Sequence, residues 1–138
     1  MEAAGDIQRI KLAYAGWNGG DIDAVLAFIA EDVVIRPVLG DAVSGDTFQG
    51  HDGVRHWFAT IRNTLEDFRS EIEDVIDAGG RRYVVFARFS GRGAASGAEV
   101  TRDAGHFVTL GDDGLITAFE GYESREGALR AAGIGGGS

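Results

Sequence analysis

Hydrophobic residues recur along the first half of the chain at the three- and four-residue spacing that one face of an α-helix requires. We predict three helices from this pattern, over Asp6–Trp17, over Ile22–Ile29 and from Asp52 to Leu65. The Asn18–Gly20 segment favours the left-handed backbone that ends a helix. Asp21 is a suitable N-cap, because its side chain can accept hydrogen bonds from the next helix's first turn.

The second half of the chain is rich in β-branched and aromatic residues, which favour strands. The predicted strands are Phe68–Ala78, Tyr83–Gly91, Val100–Leu110 and Leu115–Glu123, preceded far upstream by a short strand over Val33–Ile35. Residues Gly111-Asp112-Asp113-Gly114 predict a tight hairpin turn, because Asp and Gly tolerate positive φ. Ser124 is the expected N-cap of a last helix, Arg125–Ala132.

Helices first, then an antiparallel meander, then a terminal helix indicate an α+β fold. We expect a cone-shaped, curved antiparallel sheet wrapped around the N-terminal helices. Residues 1–134 are predicted to form one domain, followed by a flexible Gly-rich tail over 135–138. Because Tyr83–Gly91 is apolar on both faces, we predict that a second copy covers the outer face of the sheet in a homodimer.

Composition narrows the possible partners. The net charge is −9, with 13 Lys and Arg against 22 Asp and Glu, which argues against nucleic acid and anionic membrane surfaces. There is no cysteine, so disulfides and thiolate nucleophiles are excluded. No apolar run approaches the roughly 20 residues that span a bilayer, and no secretory signal opens the sequence. We therefore expect a cytoplasmic protein.

Several motifs occur in one order along nearly the whole chain. They are Tyr14-Ala-Gly-Trp-Asn-Gly-Gly-Asp21, Ala30-Glu-Asp-Val-Val34, Gly50-His-Asp-Gly-Val-Arg55, Val75-Ile-Asp-Ala-Gly79, Gly121-Tyr-Glu123 and Ala128-Leu-Arg-Ala-Ala-Gly133. This ordered set resembles the SnoaL-like branch of the nuclear-transport-factor-2-like superfamily. The resemblance implies the cone fold and commonly a dimer, but it does not fix a function, because related folds host enzymes and binders.

The resemblance also allows catalytic sets of relatives to be compared position by position. The ketosteroid isomerase positions fall at Ala13, at Arg36 or Pro37, and at Gly105. The limonene epoxide hydrolase positions fall at Ala87, Phe89 and Gly121. Neither set is matched. SnoaL-type polyketide cyclases use an acidic residue just before the last helix, which corresponds to Glu123.

The isomerase register predicts which residues line the cavity. On the strand before the last turn it directs Asp103, Gly105, Phe107 and Thr109 inward, and His106 outward. On the next strand it directs Thr117, Phe119, Gly121 and Glu123 inward. We predict Asp103 and Glu123 as the proton-transfer groups, because burial among aromatic residues raises a carboxyl pKa towards neutrality. The predicted ligand-binding residues are Tyr14, Trp17, Trp57, Phe89, Phe107 and Phe119.

Each prediction has a structural alternative. Asp103 can instead pair with Arg88 or Arg102 near the rim of the sheet. Glu123 can instead favour the dipole at the start of the last helix. The aromatic residues can belong to an ordinary core.

Two hypotheses for function follow. In the first, the protein binds a small, largely apolar organic molecule and performs isomerase, cyclase or hydrolase chemistry without a cofactor. In the second, it is a non-catalytic ligand-binding or dimeric interaction module. No metal site is predicted, because His51 and His56 are five residues apart and do not share a helical face.

Overall fold

The structure is a computed structural model that describes residues 2–36, 47–122 and 124–133. The elements in these ranges follow in chain order: α1 Glu2–Asn18, α2 Ile22–Leu26, β1 Ile29–Arg36, β2 Phe48–Gln49, α3 Gly50–Thr64, β3 Leu65–Gly79, β4 Arg82–Gly93, β5 Glu99–Leu110, β6 Ile116–Tyr122 and α4 Arg125–Ala131. Of the sequence-based expectations, those on Glu123 and on the tail 135–138 lie outside the described residues.

The six strands form one open, mixed sheet in the order β2-β1-β6-β5-β4-β3. Strand β1 runs parallel to β6, with Val34 opposite Ala118, and the other neighbours are antiparallel. The N-terminal helices pack on one face of this sheet. The predicted α+β cone fold is therefore confirmed.

Several predicted boundaries differ from the structure, and two of these differences show the effect of long-range pairing. Helix α2 ends at Leu26 rather than Ile29, because Ile29 opens strand β1 opposite Ile116 and the Ile116 amide donates to Phe28 O at 2.9 Å. Strand β3 begins at Leu65, three residues earlier than predicted. A register shift follows at once, where Asp67 adopts a φ of 54°. Both differences reflect long-range pairing that local periodicity does not encode.

The main hydrophobic core lies between the helices and the concave face of the sheet. Tyr83, Val85, Ala87 and Phe89 point into it from alternate positions of β4. A second, smaller cluster lies on the opposite, convex face. There α4 contributes Ala128, Leu129 and Ala132 against Val84, Phe86, Phe107 and Tyr122. Helix α4 of the same chain thus covers part of the apolar outer face, and the homodimer remains a prediction.

A buried carboxylate fixes α1 to the β3–β4 turn. Asp6 is fully buried; Arg81 donates to its two oxygens at 2.6 and 3.0 Å, and the Tyr83 hydroxyl donates at 2.8 Å. The hydrogen bonds from Arg81 lower the pKa of Asp6 against the opposing effect of burial. Burial and the bond to Asp6 raise the pKa of Tyr83. This network positions α1, and with it the helix residues that face the sheet.

Candidate functional site

A cavity lies between the helices and the concave face of the sheet. Its volume is about 90 Å³, counted as the space open to the centres of water molecules. A water molecule needs roughly 10–15 Å³ on that measure, so the cavity can hold several waters or a small organic molecule. The lining residues are Ala13, Tyr14, Trp17, Val25, Ile29, Ile35, Trp57, Ile61, Phe68, Ser70, Phe89, Ala104, His106, Ile116 and Phe119.

The wall of this cavity is almost entirely apolar. Among the described residues no Asp, Glu, Lys or Arg lines it, and the polar side chains of that part of the wall are those of Tyr14, Ser70, His106 and the indoles of Trp17 and Trp57. An ion buried here would lose its hydration without gaining an opposite charge. The wall therefore favours an uncharged, largely apolar ligand.

Aromatic rings form a continuous path around the cavity. The Trp17 and Trp57 centroids are 4.5 Å apart, and Phe119 lies 5.4 Å from Trp57 and 4.7 Å from His106. These separations fall within the range in which aromatic pairs attract one another. The described aromatic wall is therefore built from rings that contact one another.

One hydrogen-bonded pair crosses the apolar wall. The Tyr14 hydroxyl on α1 lies 2.5 Å from Nδ1 of His106 on β5. Burial lowers the pKa of His106 to about 4 and raises the pKa of Tyr14. Both groups are therefore neutral at pH 7, and the bond ties the middle of α1 to the sheet.

Two further polar atoms at the cavity are buried without a hydrogen-bond partner among the described residues. They are Nε1 of Trp57 and Oγ of Ser70. The Ser70 backbone is held firmly, because its amide donates to Oδ1 of Asn18 at 2.7 Å and its carbonyl accepts from Nδ2 at 2.9 Å. Buried polar groups without partners cost free energy and are candidates for contacts with a ligand.

A second, more polar groove of about 650 Å³ lies outside the cavity, between α1 and β3. Tyr14 and Ser70 line both spaces. These two side chains therefore form part of the wall between the cavity and the groove.

The predicted inward face of β5 is wrong by one residue. His106 stands opposite Val85 and Ala104 opposite Ala87, so His106, Ala104 and Val108 face the cavity side. Asp103, Gly105 and Phe107 consequently face outward, because successive strand residues alternate. The registers predicted for Phe119 on β6 and for Phe89 on β4 are confirmed.

The physical reason for this register is the approach of α4. A Cβ atom on Gly105 would lie 2.6 Å from Cβ of Ala128 and 3.0 Å from the Ser124 carbonyl. Only glycine allows the helix to sit so close at this point. The glycine is required by the packing of a helix on the convex face, not by space within the cavity.

Neither of the two predicted acids lies in the described part of the cavity wall. Asp103 lies on the outer face, about half exposed, and accepts from Nε of Arg88 at 3.0 Å. This is the ion pair that the sequence offered as an alternative. Glu123 lies outside the described residues.

The structure brings most of the predicted ligand-binding residues together. Tyr14, Trp17, Trp57, Phe89 and Phe119 line the cavity, and their binding role stays a prediction. Phe107 does not line it, because it packs in the cluster formed with α4.

Sequence reasoning missed the cavity-facing position of His106. The signal lay in the alternation of β5, where His106 is in phase with the buried Val108 and Leu110. Polar Asp103 and Thr109 belong to the opposite phase. Assigning the strand face that carries the apolar residues Val108 and Leu110 to the inside would have placed His106 inward as well.

Within the described ranges, no group of three or more His, Asp or Glu side chains is arranged to hold a metal ion. In the same ranges, no helix is long and apolar enough to cross a bilayer.

The fold is shared with several solved proteins. An NTF2-like protein of unknown function from Burkholderia pseudomallei has a TM-score of 0.76 at 23% identity, covering 91% of this chain and 95% of that one. TerC, co-crystallised with polyporic acid, has a TM-score of 0.75 at 26% identity, covering 93% and 98%. Rv0760c from Mycobacterium tuberculosis, in complex with estradiol-17β-hemisuccinate, has a TM-score of 0.72 at 18% identity, covering 86% and 92%.

Sequence comparison with curated proteins gives no significant match. Residues 10–119, by contrast, match the SnoaL-like domain family. This match spans both the N-terminal helices and most of the sheet, including the cavity residues from Ala13 to Phe119. The chain therefore belongs to the SnoaL-like domain family.

Proposed function

We propose that the protein binds a small, uncharged, largely apolar organic molecule in the aromatic cavity. The observation that carries this proposal is a concave space whose described wall residues carry no charged side chain and are mainly aromatic and aliphatic. Small-molecule sites are typically concave and apolar with a few polar groups that orient the ligand. Tyr14 and His106 are the polar groups of that kind here.

A structural relative supports the proposal. TerC shares 26% identity over nearly the whole of both chains and was co-crystallised with an organic molecule, polyporic acid. The support concerns the class of ligand, a small organic molecule, and not its identity.

We favour non-catalytic binding over acid–base catalysis. A general acid or base works best with a pKa near the working pH. The pKa of His106 is about 4, roughly three units below pH 7, so only about one imidazole in a thousand is protonated there. The pKa of Tyr14 is displaced upward, away from neutrality as well. Asp103 is paired with Arg88 outside the cavity. Glu123 remains the predicted acid of the catalytic alternative.

Intrinsic fluorescence provides a direct test. The chain has two tryptophans, Trp17 and Trp57, and both line the cavity. Indane, a neutral bicyclic hydrocarbon, is expected to cause a saturable change in tryptophan emission and to raise the melting temperature. Benzoate, a charged molecule of similar width, serves as the control and is expected to produce neither change. Absence of both effects with indane up to its solubility limit would contradict the proposal.

We also propose that the protein is a homodimer through the outer face of the sheet. Phe86 and Phe107 on that face are only half-buried beside α4, which supports the idea that a second copy covers them. Sedimentation velocity should give twice the mass of one chain, and Phe107→Asp should give the mass of one chain. A monomeric wild-type protein at micromolar concentration would contradict this part of the proposal.

A further inference from the structure

The proposed ligand-binding function leaves open which polar group the ligand carries, and the inference here rests on that function. We propose that the ligand presents an uncharged hydrogen-bond acceptor, such as a ketone or quinone carbonyl, to the Nε2–H of His106.

The position of the proton follows from counting hydrogen bonds. If Tyr14 donates its hydroxyl to Nδ1 of His106, the imidazole proton lies on Nε2, and one polar group of the pair lacks a partner. If Nδ1–H donates to the Tyr14 oxygen instead, two groups lack a hydrogen-bond partner, namely the phenol hydrogen and the unprotonated Nε2. No other hydrogen bond to either side chain occurs among the described residues. Since each unmet buried group costs free energy, the first arrangement is favoured.

Two further polar atoms lie near the cavity but are not open to it. Nε1 of Trp57 and Oγ of Ser70 have no hydrogen-bond partner among the described residues, yet both are buried from water-sized space. The donor that a ligand in the cavity would meet is therefore the Nε2–H of His106. A ligand acceptor would pair with it, whereas a ligand donor would find no fixed acceptor in need of a partner.

The aromatic rings restrict the shape of the ligand. The His106 imidazole lies 4.7 Å from the ring of Phe119, which in turn lies 5.4 Å from Trp57. The His106 imidazole therefore lies beside an aromatic surface formed by Phe119 and Trp57. A flat, cyclic molecule can stack on this surface while a carbonyl in its plane reaches the imidazole. Because no charged side chain among the described residues lines the cavity, a carboxylate is not the expected acceptor.

A matched pair of probes tests the inference. Indane and 1-indanone share a bicyclic skeleton and differ by one carbonyl group. Tryptophan-fluorescence titration of the wild type should show about fivefold to tenfold tighter binding of 1-indanone, the size expected of one net hydrogen bond. In His106→Phe this ratio should fall to about one while indane still binds. The control Phe119→Leu removes a ring but no donor, so both probes should weaken while their ratio is retained.

Each outcome has a clear meaning. A wild-type ratio near one, or a ratio that survives in His106→Phe, overturns the inference and leaves the proposed function intact. Failure of both probes to bind the wild type contradicts the proposed function itself. A second measurement uses the wild-type protein without a ligand, so its result does not depend on whether a variant folds. Long-range ¹H–¹⁵N NMR spectra of the wild type at pH 7 should show His106 protonated on Nε2, and protonation on Nδ1 would overturn the inference.

Discussion

Three side chains place ionisable groups in surroundings of low polarity, and each is stabilised differently. Asp6 keeps its charge because Arg81 and Tyr83 donate to it. His106 and Tyr14 have no such charged partner, so they stay neutral and hydrogen-bond to one another. At the scale of single residues, the sign of each pKa shift therefore predicts a different pH response.

His106 should make the protein less stable in mild acid. Its folded pKa of about 4 lies below the unfolded value of 6.5, so the unfolded chain binds a proton first as the pH falls. Between pH 6.5 and pH 4 the free energy of unfolding should fall, by about 3 kcal/mol over the whole window. Urea denaturation measures the free energy of unfolding at pH 7.0 and at pH 4.5. The decrease between these two pH values should be about 2 kcal/mol larger in the wild type than in His106→Phe.

The exposed His56 provides the matched control for this experiment. His56→Gln should keep the pH dependence of the wild type. Identical profiles for the wild type and His106→Phe would contradict the assignment of His106 as a buried neutral imidazole.

Asp6 should behave in the opposite sense. Because its folded pKa is lowered, its contribution to stability is present above the unfolded value of 3.8 and is lost as the pH falls through the folded pKa. At pH 7, Asp6→Asn should lower the free energy of unfolding by about 3 kcal/mol, since Arg81 loses its buried partner. Asp52→Asn, which removes an exposed partner of Arg55, should leave it unchanged within error. Equal effects of the two variants in urea denaturation would contradict the role of the buried network.

At the scale of elements, the contact between β5 and α4 fixes which face of the strand meets the cavity. The helix approaches closest at Gly105, where a side chain would collide with Ala128 and with the Ser124 carbonyl. Strand β5 must therefore turn its even-numbered residues, including His106, towards the helices of the concave side.

Gly105→Ala should consequently lower the free energy of unfolding by about 1 to 3 kcal/mol, because α4 must shift away from the sheet. Gly5→Ala is the matched control, since a Cβ there meets only the Arg9 guanidinium at 3.7 Å and alanine favours a helix. That variant should be neutral or more stable. Chemical denaturation measures both, and an unaffected Gly105→Ala protein would contradict the close contact.

At the scale of the whole molecule, the sheet and the helices enclose the cavity together. Ala104, which is buried on β5, lines it, and the larger side chain of Ala104→Leu should occupy part of its volume. We expect the variant to bind indane at least about tenfold more weakly, with a correspondingly smaller rise in melting temperature at a fixed indane concentration. The exposed substitution Ala98→Leu should bind indane like the wild type. Equal melting-temperature shifts in all three proteins would show that indane binds elsewhere.

The sequence predicts the type of nearly every described element correctly, because helical and strand periodicity are local properties of the chain. It also determined the hairpin turn, the family resemblance and most of the aromatic wall, including Trp17, Trp57 and Phe119.

Two features depend on contacts between distant parts of the chain: the face of β5 that lies inside, and the parallel pairing of β1 with β6. An alternating pattern shows which residues share a face, but the direction of that face depends on partners far along the chain. The physical consequence is specific to this protein. The register of β5 differs by one residue from the predicted one. As a result His106, a neutral group, lies in the wall of the cavity, and Asp103 lies outside it in an exposed ion pair.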